Sequence, residues 1–254
     1  MKKYIYTIIL LAASMMVMAQ DEVNFSADRP GAATGVGVVD FKGVMWESGF
    51  QHDYISGTHG ILLPTTMFRF GITSSAELRL EYDGVLGSAD GKQWTYEMAP
   101  MIVGTKVKIF EGSEQHKWIP AASLMLNMAV PCTKTLAESM HLAPSAYLLF
   151  QNDVTDWFNI GYNLGVEWDG ANTLPNTFVA LCLGFNITDN LGAFVESYNY
   201  ITGYGKNLAG DVNMDFGFNY MVHPRVQLDM YASINCQDPK AYSNVGMGVA
   251  WLIR

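Results

Sequence analysis

Apolar and polar residues alternate with a period of two along most of this chain. From Phe158 to Asp169, the residues Phe158, Ile160, Tyr162, Leu164, Val166 and Trp168 fall on one parity. Asn159, Gly161, Asn163, Gly165, Glu167 and Asp169 fall on the other. Successive side chains of a strand point to opposite faces, so this run predicts a β-strand with one apolar face. A helix would scatter the aromatic rings around its circumference. Segments 76–83, 179–187, 212–222, 226–235 and 244–254 repeat the pattern. The runs are about 10 to 13 residues long, where ordinary soluble strands have about 5 to 6. A transmembrane barrel strand needs about 9 to 11 tilted residues.

The whole chain reads as about twelve such strands, near 40–55, 60–72, 76–84, 95–110, 117–130, 141–154, 157–169, 176–188, 191–202, 209–223, 226–236 and 243–254. An even number returns both termini to one side. Tight connections at 71–77, 154–158, 187–192 and 222–226 alternate with longer ones at 83–94, 131–141, 169–176 and 202–211. That is the loop asymmetry of outer-membrane barrels; the stretch 110–118 breaks it by being long on the short side. Trp46, Trp94, Trp118, Trp157, Trp168 and Trp251 fall near strand ends, where interfacial girdles form. The predicted fold is an all-β, transmembrane, antiparallel up-and-down barrel. A secreted β-sandwich is the alternative, but its strands would be shorter and its polar residues would face outward.

The ends define the domains. Lys2 and Lys3, the apolar run Tyr4 to Met18 and the small residue Ala19 form the three parts of a secretory signal peptide. The reading is therefore a signal peptide at 1–19, an N-terminal periplasmic or lumen-inserted segment at 20–39, and a barrel at 40–254, exported to the outer membrane of a Gram-negative-type cell. The net charge is −9, and loss of Lys2 and Lys3 makes the mature chain more acidic still. Nucleic acid, which needs a basic face, is excluded as a partner. Cys132, Cys182 and Cys236 are widely spaced. They form no metal motif, although a Cys132–Cys236 bridge is left open. No metal or cofactor is expected; the expected partners are membrane lipid and a small-molecule solute, with the oligomeric state open.

If the apolar parity faces lipid, the other parity lines the lumen. That places Glu47, Asp53, Arg69, Glu77, Arg79, Glu81, Lys106, Lys108, Glu167, Asp215 and Asp229 inside, as a mixed set of acids and bases that either fills the barrel or builds a polar conduit. The segment Ser26–Asp40, SADRPGAATGVGVVD, lacks the alternation. Its glycines do not make a phosphate cradle, because no Gly-Lys-Ser/Thr follows and no strand precedes. Asp28, Arg29 and Pro30 are instead candidates for a plug. Arg29 would bond acidic lumen side chains, Pro30 would stiffen the chain, and the glycines would let it turn in a crowded space.

The motif ADRPG (Ala27 to Gly31) shortly after the signal peptide, the first strand WESGFQ (Trp46 to Gln51) and the hairpin FGITSSAELRLEYDG (Phe70 to Gly84) resemble the MetA-pathway-of-phenol-degradation family of outer-membrane transporter barrels. The resemblance implies a barrel that passes small, often hydrophobic or aromatic, molecules. The C-terminus departs from many outer-membrane barrels, ending Trp251-Leu252-Ile253-Arg254 in place of a terminal aromatic residue. Two other classes compete with transport: a barrel lipid hydrolase, and a structural or adhesion barrel. His141 and Ser145 lie near a predicted outer rim, but on a regular strand they would be about 13 Å apart, too far for a nucleophile–base pair. No catalytic residue is assigned and a non-enzymatic role is favoured.

Overall fold

The computed structural model describes residues 24–88, 92–113, 115–203 and 209–254. The signal-peptide reading at 1–19 lies outside them, as does the start of the 20–39 segment. The strands are β1 (Val44–Ile55), β2 (Thr58–Gly71), β3 (Ala76–Ser88), β4 (Thr95–Met98), β5 (Met101–Glu111), β6 (Ala121–Val130), β7 (Ala143–Thr155), β8 (Phe158–Glu167), β9 (Asn176–Asn186), β10 (Leu191–Thr202), β11 (Ala209–His223), β12 (Val226–Asn235) and β13 (Ser243–Leu252). All pairings are antiparallel, and β1 pairs with β13 from Met45↔Leu252 to Tyr54↔Ser243. The sheet therefore closes on itself, with β4 alone paired on one side only.

β4 and β5 are two pieces of one wall strand. β5 pairs with the first part of β3, from Ala76↔Val107 to Glu81↔Ile102, and β4 pairs with the last part, from Gly84↔Met98 to Gly87↔Thr95. The interruption is at Ala99–Pro100, where proline has no N–H for the ladder. Counted so, the wall is a twelve-stranded transmembrane barrel. β1 starts at Val44 and β6 at Ala121, later than the alternation suggested. The stretch 131–141, read as a plain loop, contains a short helix α1 (Lys134–Ser139), started by Thr133 accepting from the Leu136 N–H at 3.2 Å.

The two ends differ. The start of β1, the end of β13 and the turns 72–75, 156–157, 187–190 and 224–225 share one end, the termini end; 112–120 is the long exception there. The other end carries α1 and most of the longer loops. Its exception is the two-residue turn Ser56–Gly57, whose φ angles of 49° and 92° fit a type I′ hairpin. The outward parity is apolar: Val212, Met214, Phe216, Phe218, Tyr220 and Val222 of β11 are all exposed. Trp46 pairs across strands with Trp251 near the terminus end, while Trp94 and Trp168 lie toward the other. An apolar outer band with aromatic margins is the pattern of a transmembrane barrel wall. Among the described residues the three cysteines are free, so the Cys132–Cys236 bridge is not formed.

Candidate functional site

Polar side chains enclosed in a barrel must find partners, because burying one without a hydrogen bond is costly. On β2 and β3, Arg69 stands directly opposite Arg79. Like charges in that register repel. Lys106 on β5, opposite Glu77, adds a third cation. The wall's own acids answer only part of this. Arg69 donates to Glu77 at 2.8 and 2.9 Å and to Glu47 at 2.9 Å; Arg79 donates to Glu77 at 2.9 Å. The rest is supplied from outside the wall by Asp28. Its carboxylate accepts from Lys106 at 2.7 and 3.0 Å and from Arg79, and lies 3.5 Å from Arg69.

Residues 24–39 run inside the wall as an irregular hairpin, with little backbone pairing of their own. Wall side chains take that role. Glu47 accepts from the N–H groups of Asp28 and Arg29, Glu196 from those of Ala32 and Ala33, and Glu77 from that of Val39. Asn163 bonds Thr34 at both its N–H and its carbonyl. The carbonyls of Gly35 and Gly37 each accept from Lys106 Nζ at 2.9 Å, and that of Val36 accepts from Ser123 at 2.6 Å. Arg69 donates to the Ser26 and Gly37 carbonyls, at 2.5 and 3.1 Å. With its carboxylate bonds, that occupies all five N–H donors of the guanidinium. Small apolar patches complete the seat: Val39 on Met45, Ala250 and Leu252; Val36 on Met125 and Leu149; Ala32 and Ala33 on Phe178, Ala180 and Tyr198.

Arg29 reaches across to β12. Its Nε and Nη2 bond the two oxygens of Asp229 at 3.2 and 3.1 Å, a bidentate pair, and Nη1 donates to Thr65 at 3.2 Å. The guanidinium lies against Gly49 and Gly248, which face each other across β1 and β13. A Cβ on Gly49 would stand 2.6 Å from Arg29 Nη2, and one on Gly248 would meet the guanidinium more closely still. Only glycine leaves room for this approach.

Burial alone would raise the Asp28 pKa, but the Arg69, Lys106 and Arg79 cations outweigh it and hold the carboxyl well below the usual carboxylate range. A depressed carboxyl stabilises the folded state fully above its unfolded pKa, near 3.9, and loses that contribution only as pH falls through the lower folded value. Asp28 is therefore expected to remain ionised from neutrality to about pH 4. Its side-chain carboxyl carbon, followed by NMR in aspartate-labelled protein, should show no titration in that window; a midpoint inside it would contradict the network.

Nearly the whole segment that carries these contacts lies in one family match. The profile described as "Putative MetA-pathway of phenol degradation" matches residues 27–253, beginning at the first residue of ADRPG. The chain belongs to this phenol-degradation MetA-pathway family. No curated protein matches it in sequence. In fold, this family member is similar to an outer membrane channel from Pseudomonas putida F1, with a TM-score of 0.67 at 9% identity, covering 89% of this chain and 99% of that one. It is also similar to the NanC porin, with a TM-score of 0.56 at 9% identity, covering 81% and 98%.

The residues singled out from the family member's sequence separate into groups. Glu47, Arg69, Glu77, Arg79 and Lys106 converge on the Asp28 network, and Asp229 holds Arg29. Asp53 accepts from Gln51, Asp215 from Ser233, and Glu167 from Tyr147 at 2.6 Å. Glu81 lines a cavity of about 230 Å³ beside Arg29, Arg79 and Asp83. Lys108 does not join them; it pairs with exposed Glu111 near the terminus-side end of β5. Pro30 follows Arg29 at the bend of the hairpin, and Gly31 beside it has φ +101°, a left-handed conformation that suits glycine.

Four residues that hold the hairpin are not among those candidates: Ser123, Glu196, and Asn163 and Gln227, which do fall on the polar parity, the last donating to the Arg29 carbonyl at 3.1 Å. Glu196 shares its inward face with Phe194 and Tyr198, so β10 shows no clean polar side. The buried Glu on an otherwise aromatic parity was the available signal. Beyond the hairpin, toward the longer loops, lies a second cavity of about 400 Å³, floored by Gly31 and Ala32.

Proposed function

We propose that the chain is an outer-membrane channel for small solutes, hydrophobic or aromatic molecules among them, and that residues 20–39 are its plug. In this reading the termini end faces the periplasm, the longer loops face outward, and the signal peptide directs export in a Gram-negative-type cell. The observation that carries it is a closed barrel, apolar outside and polar inside, filled from one end by a separately anchored hairpin and open to a cavity above it. The filling is held to the wall chiefly through side chains and not by a backbone ladder, as a plug that can leave its seat requires. The fold's likeness to proteins named an outer membrane channel and a porin supports the same reading, with membrane lipid and a diffusing solute as partners.

A non-enzymatic role fits the rim. His141 sits in an exposed loop with its N–H on the Gly170 carbonyl, while Ser145 is on β7 opposite Asn127 and Glu167. In a liposome-swelling assay with small sugars, amino acids and aromatic compounds, vesicles carrying the full-length barrel should swell faster than protein-free vesicles, and a plug-deleted form should swell faster again. Equal rates for all three would contradict the channel reading.

A further inference from the structure

The cavity above the hairpin is chemically one-sided. Its walls carry the rings of Tyr198, Tyr200, Tyr231 and Tyr242, and its acids are Asp211 and Asp215. No described residue lining it is basic. The imbalance extends through the interior. Among the described residues the buried strand acids are Glu47, Asp53, Glu77, Glu196, Asp215 and Asp229, against the buried bases Arg69, Arg79 and Lys106. Those three bases are all committed to the Asp28 network near the termini end, and Arg29 is committed to Asp229. Among the described residues no cation lines the upper cavity, so its acids stand there without a paired base.

Its hydrogen-bonding capacity is equally biased. Asn213 and Asn244 line the cavity and are buried, at 7% exposure each, and the side-chain carbonyl oxygen of each has no partner. Asp215 accepts from Ser233 through Oδ1 only; Ser233 is in turn 3.0 Å from the Tyr198 hydroxyl. A buried acceptor without a donor is costly, and these two oxygens, enclosed within the wall, add to the negative potential behind the cavity surface. Aromatic faces attract cations through the ring quadrupole, and a few convergent polar groups in an aromatic-walled pocket select a ligand's orientation.

We infer that this cavity is a binding site for organic ammonium solutes, a protonated amine carried on a small aromatic or aliphatic body. The ammonium is placed between Asp215 and the tyrosine rings, with the Asn213 and Asn244 oxygens behind the cavity surface adding to the field that draws it. The inference rests on the channel reading for the route by which the solute arrives, and it adds the charge class that the outer half of the lumen selects.

Three probes share one ring and differ in charge: tyramine (cationic), tyrosol (neutral) and 4-hydroxyphenylacetate (anionic). Isothermal titration of the full-length barrel in non-ionic detergent should rank them in that order, with the amine at least about tenfold tighter than the acid. Asp215→Asn should erase the advantage of tyramine and leave tyrosol unchanged. The inference is overturned if the acid binds as well as the amine, if tyramine shows no binding to the native barrel, or if Asp215→Asn retains the full preference. The ranking in the native protein decides the matter even if the variant does not fold. Flux of the same probes into vesicles separates the two proposals. Ranked binding without flux supports the site and counts against the channel, whereas flux without ranked binding removes the site and leaves the channel.

Discussion

Replacing Asp28 by alanine is expected to unseat the hairpin while leaving the barrel closed. The substitution removes the one carboxylate shared by Lys106, Arg79 and Arg69. Arg69 keeps Glu47 and Glu77 and Arg79 keeps Glu77, but Lys106 is left with only the Gly35 and Gly37 carbonyls as hydrogen-bond partners. Breaking a buried ion pair costs about 3–5 kcal/mol, chiefly through the charge left uncompensated. Here the penalty has an escape. If residues 24–39 leave, water enters and hydrates the cations, so the loss falls on the seating of the hairpin and not on the wall ladder. Proteinase K should spare residues 24–39 in the native barrel and cleave them in Asp28→Ala, with both proteins still migrating as folded, heat-modifiable barrels. Equal protection of the segment would show that Asp28 is not its anchor.

Arg69→Met should act on the wall itself. Arg69 is fully buried and joins β1 through Glu47, β3 through Glu77, and the hairpin through the Ser26 and Gly37 carbonyls. Methionine fills much of the volume but leaves Glu47 and Glu77 facing each other with less countercharge, and removing one partner of a buried pair again costs about 3–5 kcal/mol. Lysine restores the charge but has a single nitrogen that cannot reproduce five donors in a planar fork. The denaturant midpoint, followed by tryptophan fluorescence in detergent, should fall in the order native, Arg69→Lys, Arg69→Met. A lysine variant as stable as the native protein would mean that charge alone matters, and an unshifted methionine variant would remove Arg69 from the account.

The barrel was legible because its physics is local. A strand between lipid and lumen must alternate, and the residues of β8, β11 and β12 do so almost without exception. What blurred the reading was also local: Pro100 splits one wall strand into β4 and β5, and Thr133 caps a helix inside an apparent loop. The lumen was only half legible. Parity marks which side chains turn inward but not which meet, and Arg29 and Asp229 are brought together only by closure of the sheet. Parity also fails where the hairpin covers the wall. Met45, Met125, Leu149 and Phe178 lie on inward positions because apolar residues of 24–39 pack on them, so apolar side chains occur on both faces and the contrast that identifies a lumen residue such as Glu196 is lost.

The central claim is that a channel is present and that the hairpin fills it. Single-channel recording in planar bilayers tests this most directly, comparing the full-length barrel with one lacking residues 24–39. The account predicts small steps for the intact protein and clearly larger, stable steps for the deletion, with both forms folded by heat-modifiability. Identical conductance from two folded proteins would contradict it.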